Sequence, residues 1–309
     1  MPDIPPDAPP VVEDLTDLLA SWQRTLRLAR LSQATLRTYG SSVAHFAAWL
    51  AAQADPPATI EEISREHIQG WLGAMIEAGH KGWTINTRFA NLRTFFRWLV
   101  DEGELERSPM RGVRQPKIVE TPVPVLTGDE VRRMLDTCDN SFEGKRDRAM
   151  ILVFADCGLR WSEAANLRLD DIDMDLQVLR VMGKGGRPRA VPYGDRTAEA
   201  LDRYLRARRR HPRAAKTDRL WVGRQGGMSA HGVRWALNER ARRAGVDGFH
   251  PHRLRHTAAH ELRKAGMSDR DMKRIFGWRS NKMLDRYGES AADESAREAH
   301  RRYSFGDRL

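Results

Sequence analysis

The chain has 309 residues, 40% hydrophobic and 30% charged, enough for one large or two ordinary globular domains and unlike a disordered polymer. Lysine and arginine number 52 against 42 acidic residues, a net charge of +10, and the surplus is uneven: residues 1–115 hold 12 basic and 14 acidic side chains, residues 116–309 hold 40 and 28. No apolar run approaches the roughly 18 residues of a membrane span, the start MPDIPPDAPP is not a signal peptide, and Cys138 and Cys157 are too few for a disulfide framework or a cysteine zinc site.

A soluble protein of the reducing cytoplasm, without a membrane partner, is therefore expected. The basic second part suits a polyanion, because each phosphate neutralised by Lys or Arg releases condensed counterions. A merely solvated basic surface is the plain alternative.

In chain order, residues 1–14 are Pro-rich at their start and read as a disordered tail. Leu36, Tyr39, Val43, Phe46 and Leu50 recur at spacings of three and four, one face of an amphipathic helix. Residues 59–79 predict a second helix with Trp71 and Met75 inward, and Ile85, Phe89, Leu92, Phe96 and Leu99 a third. Residues 15–115 thus form a small helical bundle whose aromatics serve its core. The segment 116–125, within RGVRQPKIVETPVPVLTGDE, reads as an extended linker. Thr127, with Glu130 three residues on, starts a capped helix. The rest is mostly helical, except VLRVMGKGGRPRAVPY, where a Gly-rich turn between β-branched runs predicts a β-hairpin.

Four short stretches carry chemistry. HPHRLRHTAAH, residues 250–260, crowds histidines and arginines together. His252 with His256, and with His260 as a third, could ligate zinc, but no HExxH pattern supports this and the arginines would repel the cation. Histidines that merely cap or hydrogen-bond are the plain reading of that stretch alone. In DCGLRWSEAANL, Arg160 follows a Gly-Leu break and Glu163 could orient its guanidinium; taken alone this is an ordinary i, i+3 ion pair. Lys184 sits at the hairpin tip, in a GKGG that lacks the GxxxxGK[ST] spacing of a nucleotide loop. FGWRSNKMLDRY places Trp278 nine residues before Tyr287.

The order Arg160, Lys184, His252-x-x-Arg255, Gly277-Trp278, Tyr287 resembles the motif series of the tyrosine recombinases, the lambda-integrase or phage integrase family. LSQATLRTYGSSVAHFAAWL and TINTRFANLRTFFRWLVDEGELERSP resemble the family's helical core-binding domain, so the likeness spans about residues 15–290. It implies a mainly α, two-domain DNA clamp: a core-binding bundle over 15–115, a linker at 116–125, a catalytic domain with a small β-hairpin or sheet over 126–290, and a tail helix at 291–309 for subunit exchange. It further implies metal- and ATP-independent cleavage and rejoining of DNA without a cofactor, through a 3′-phosphotyrosine and a Holliday junction. The implied partners are double-stranded recombination sites and a homotetramer on them, with an accessory directionality factor as an open question.

In that resemblance Tyr287 is the nucleophile, Arg160 and Arg255 grip the non-bridging oxygens, Lys184 is the acid for the leaving 5′-oxygen and His252 assists proton transfer. Most members carry His where this chain has Trp278, whose N–H can donate a hydrogen bond but not transfer a proton; a Trp that is simply core is its plain alternative. Of five tyrosines, only Tyr303 rivals Tyr287, since Tyr39, Tyr193 and Tyr204 fall on helical faces or beside the hairpin. A catalytically silent DNA-binding protein and a type IB topoisomerase-like enzyme are the alternatives from other classes. The helical pattern starts too early for a separate arm-binding domain, which suggests a simple Xer/Cre-like architecture, and the ending resembles integrases of actinobacterial mobile elements.

Overall fold

A computed structural model describes residues 10–116, 124–183 and 186–278, together with positions 284, 297, 300, 301, 304 and 306–308. Lys184, Tyr287, Tyr303, the middle of the expected linker and most of the expected tail helix lie outside the described residues. The chain divides into two compact units, Met1–Glu120 and Thr121–Leu309, a cut that falls within the segment read as a linker.

Among its described residues the first unit contains four helices: α1 (Pro10–Leu28), α2 (Gln33–Ala51), α3 (Arg65–Glu77) and α4 (Gly82–Asp101). The start of α1 corrects one expectation, because residues 10–14 are helical rather than part of a tail. Val11, Leu15 and Trp22 explain why: they form an apolar stripe buried in the bundle core, and Trp22 stacks on Tyr39 with ring centroids 4.9 Å apart. Early prolines mask this stripe, yet Pro is well tolerated where a helix begins. Helix α3 also starts later than residue 59. Residues 58–64 turn instead, with the Glu62 carboxylate accepting from the Ala58 N–H at 2.7 Å, and the Ser64 N–H donating to His67 Nδ1 at 3.0 Å where the helix begins.

In the second unit, α5 (Gly128–Asp136) carries the expected capping box: Thr127 Oγ1 accepts from the Glu130 N–H, and Glu130 Oε2 from the Thr127 N–H. Helix α6 (Phe142–Cys157) is the central element, buried among α8 (Asp195–Arg209), α9 (Ala230–Arg243) and α10 (Pro251–Lys264). The short α7 (Trp161–Ala165) precedes an antiparallel sheet of order β1-β2-β3: β1 (Ile172–Asp173), β2 (Val178–Met182) and β3 (Pro188–Pro192). The expected hairpin is β2–β3, with Val181 opposite Arg189 and Leu179 opposite Val191. A two-stranded ribbon, β4 (Val222–Gly223) and β5 (Gly226–Gly227), lies before α9, and α11 (Asp269–Phe276) follows α10. No described helix is long and apolar enough to cross a membrane.

Part of the basic surplus is architectural. Asp147 accepts from Arg146 Nε at 2.8 Å and Arg240 Nε at 2.9 Å, and all three side chains are buried. Arg208, also buried, donates to the carbonyls of Thr217, Arg219 and Leu220. These guanidinia close loop carbonyls that water cannot reach, so the net charge overstates the positive surface open to a polyanion.

Candidate active site

The site is built on the end of one helix. The last carbonyls of an α-helix have no partner within it and carry the negative end of its dipole. At the end of α11, three consecutive carbonyls each accept from a different arginine: Ile275 from Arg189 Nε at 2.9 Å, Phe276 from Arg255 Nη2 at 2.9 Å, and Gly277 from Arg160 Nη2 at 3.3 Å. Gly277 turns the chain there with φ 63°, a left-handed conformation that favours glycine.

Arg160 is the N-cap residue of α7. Its backbone N–H donates to Glu163 Oε2 at 2.8 Å and its Nη1 to Glu163 Oε1 at 2.9 Å, so the Glu163 expected to orient it does so. The Arg160 side chain remains 31% exposed, whereas Glu163 is 5% exposed. Burial pushes the Glu163 carboxyl up, but hydrogen bonds and charge from Arg189 and Arg160 outweigh it, and the net shift is downward. The carboxylate stays ionised.

Arg255 is 3% exposed. Its Nη1 donates to the Gly158 carbonyl, and its guanidinium carbon lies 5.0 Å from the Phe276 ring centroid and 5.8 Å from that of Trp278. Gly158 ends α6 with φ 54°, and a Cβ there would come within 2.3 Å of Phe276 Cε1. That close approach lets α6 present its final carbonyl to Arg255. Trp278 is buried and stacks on Phe276, centroids 4.5 Å apart and planes 18° apart. It belongs to a small core with Met272, Phe276 and Leu284, the last lying three residues before Tyr287 in the sequence.

His252 stands in the first turn of α10, one helical turn before Arg255. Its ring is open to solvent, yet the protein packed beneath it partly desolvates it, and the charges of Arg255, His250 and Arg160 add to that, lowering its pKa below the ordinary 6.5. The ring is therefore neutral at neutral pH, in a field that attracts an anion. The other arginine of the HRLR stretch faces away: Arg253 donates to the carbonyls of Asp247 and Val125, tying α10 to the start of its own unit.

Four of the expected site residues, Arg160, His252, Arg255 and Trp278, thus gather around the end of α11 and the start of α10. Lys184 and Tyr287 lie outside the described residues; between the strands on either side of Lys184 in the sequence, the Gly183 N–H donates to the Arg187 carbonyl at 2.8 Å. The described tyrosines are committed elsewhere. Tyr39 stacks on Trp22; Tyr193 donates to the Asp173 carbonyl and Tyr204 to that of Leu220, and burial pushes both phenols up to about 12. The sequence reading missed Arg189. The available signal was its parity with Val191 on the inward side of β3, where an arginine demands a partner.

A model of the phage integrase family matches residues 124–294, and one of the phage integrase N-terminal SAM-like domain matches residues 19–103. The chain belongs to the phage integrase family. Its similar proteins include the tyrosine recombinase XerC of Corynebacterium efficiens, 31% identical over 297 residues that cover 94% of this chain and 91% of that one. Among solved structures, XerH bound to a palindromic difH substrate after cleavage has a TM-score of 0.72 at 18% identity, covering 91% of this chain and 83% of that one. A lambda integrase tetramer bound to a Holliday junction has a TM-score of 0.66 at 21% identity, covering 86% and 77%. At these identities the solved structures establish the fold.

Proposed function

We propose that this protein is a site-specific DNA recombinase that cuts and rejoins strands through a 3′-phosphotyrosine, with Tyr287 as nucleophile. The observation that carries the reading is the anchoring of Arg160 and Arg255 on the end of α11, with His252 one turn before Arg255 on α10 and within the field of both, in the chain order of the family's motifs. Phosphoryl transfer needs charge placed beforehand around the two non-bridging oxygens, and planar guanidinium forks suit them better than lysine does. Tyr287 Oη attacks phosphorus, the bond from phosphorus to O5′ breaks, and O5′ takes a proton from Lys184. The phenol proton passes to neutral His252. The number of phosphodiester-type bonds is unchanged, so a second 5′-hydroxyl can reverse the step on a new strand without ATP. Trp278 packs Arg255 against its phosphate and offers an N–H in place of the usual imidazole.

The first unit is the core-binding half of a two-domain clamp, a helical bundle that begins with α1 at Pro10. Its DNA face is the groove between α2 and α4 bearing Arg37, Ser41, Trp83, Thr84, Thr87 and Arg88. Arg37 is the only charged residue of α2, and α4 carries Arg88, Arg93 and Arg97 against a terminal Asp101. A cationic groove in an otherwise slightly acidic unit fits a duplex backbone. The working assembly is a homotetramer on paired sites, with residues 291–309 docking on a neighbouring subunit, in the cytoplasm. The mobile-element reading rests on the C-terminal sequence, whereas the XerC relative supports the simple Xer-like architecture.

Covalent trapping tests this reading. Nicked, labelled duplexes are incubated with wild type and with Tyr287→Phe in EDTA and resolved on denaturing gels. The expected result is an adduct on a 3′ end that forms in the wild type and is absent from Tyr287→Phe. An adduct that persists in the variant moves the nucleophile to Tyr303; tight binding with no adduct favours a silent DNA-binding protein, and relaxation of plasmids without site preference a topoisomerase.

A further inference from the structure

We propose that Arg189 is a positioning residue for strand cleavage: it balances Glu163, so that Arg160 faces the scissile phosphate as an uncompensated cation. The proposal rests on the recombinase reading above. Glu163 is shared. Its Oε1 accepts from Arg160 Nη1 at 2.9 Å and Arg189 Nη1 at 3.0 Å; its Oε2 accepts from the Arg160 N–H at 2.8 Å and Arg189 Nη2 at 2.7 Å. Four donors fill the four acceptor directions of one carboxylate.

The charge count of this trio decides the argument. Glu163 alone holds Arg160 in place but cancels its charge as seen by a nearby phosphate. With Arg189 on the other side of the carboxylate, the trio carries a net single positive charge. The exposures say where it is available: the Arg160 side chain is 31% exposed and that of Arg189 is 11%. Arg189 spends all three guanidinium nitrogens on protein, Nη1 and Nη2 on Glu163 and Nε on the Ile275 carbonyl. It is therefore poorly placed to grip DNA and acts through Arg160.

Arg189 also joins two parts of the site. It stands on β3, the strand that follows Lys184 in the sequence, and it is fastened to the end of α11, where Arg160 and Arg255 are anchored as well. One side chain thus fastens the strand that follows Lys184 in the sequence to the helix end that aligns the proposed phosphate grips.

The test is rescue. Arg189→Met leaves a buried carboxylate facing Arg160 alone, so single-turnover cleavage of a nicked duplex at saturating protein, read well below the melting transition of each variant, should fall by about 10-fold or more, a fraction of the loss of a direct donor, while DNA affinity stays near wild type; some loss of stability accompanies it, because a buried carboxylate loses a partner. Adding Glu163→Gln to Arg189→Met removes the uncompensated carboxylate, and the double variant should cleave several-fold faster than Arg189→Met. A purely structural role predicts the reverse, because the double variant loses more hydrogen bonds. Should Arg189→Met fail to fold, Arg189→Gln, whose amide still donates to Glu163 without charge, takes its place with the same expectations. Cleavage by the single variant at the wild-type rate, or a double variant no faster than the single, overturns the proposal. Failure of the wild type to form any Tyr287-dependent adduct would instead refute the recombinase reading itself.

Discussion

Trp278 and Arg253 show how much a single residue's role depends on which way it faces. Trp278 lies stacked on Phe276 and beside the Arg255 guanidinium, so it serves both packing and the shape of the phosphate grip. Replacing it with His keeps a flat ring with an N–H donor, and cleavage should stay within about 10-fold of wild type. Trp278→Ala removes the stack, costing about 3–5 kcal/mol of stability, and leaves Arg255 without its neighbour; cleavage of a nicked duplex should drop by about 100-fold or more. Thermal melts beside the cleavage assay separate the two losses, and full activity in the alanine variant would take Trp278 out of the site. Arg253 and Arg255, two residues apart on α10, point in different directions: one ties down the chain at Val125 and the other lines the site.

At the scale of elements, α11 organises the site although it contributes none of the proposed reacting groups. Its terminal carbonyls collect Arg160, Arg189 and Arg255 from α7, β3 and α10, so the helix end acts as a template for cations. Helix α1 makes a different point. Its first turns are structural, since Val11 and Leu15 are fully buried in the bundle. Leu15→Ala should lower the stability of the first unit by about 2–5 kcal/mol, whereas a disordered tail would tolerate the change. Urea denaturation followed by tryptophan fluorescence reads this directly, because Trp22 lies in the same core.

For the whole molecule, charge has two uses that net charge confuses. Arg146, Arg208 and Arg240 are buried and hold architecture together, while Arg37 is exposed beside the α2–α4 groove. Titrations of DNA binding against salt should distinguish them. Arg37→Ala is expected to reduce the slope of log K against log salt by about 1, the loss of one phosphate contact. Arg240→Ala should leave that slope in place and lower stability by about 3–5 kcal/mol, because it strips a buried carboxylate of a partner. Equal slopes for Arg37→Ala and wild type would remove α2 from the DNA face.

Local physics was legible in the sequence. The period of Leu36 to Leu50 and of Ile85 to Leu99 marked α2 and α4, Thr127 with Glu130 marked the start of α5, and glycines between β-branched runs marked the hairpin. These features depend on neighbours within a few residues, so the chain order alone states them; the ordered chemistry of Arg160, His252 and Arg255 likewise pointed to a phosphate. Helix α1 was obscured because prolines at its start dominate the composition there, while its stripe finds meaning only against the bundle. What only the tertiary structure decided was convergence. Arg160 and Gly277 are 117 residues apart, and Arg189 and Ile275 are 86 apart, and no local pattern encodes that three guanidinia share one helix end. Glu163 between two arginines is of the same kind: its partner three residues back was readable, and its partner 26 residues on was not, because only folding brings β3 against α7.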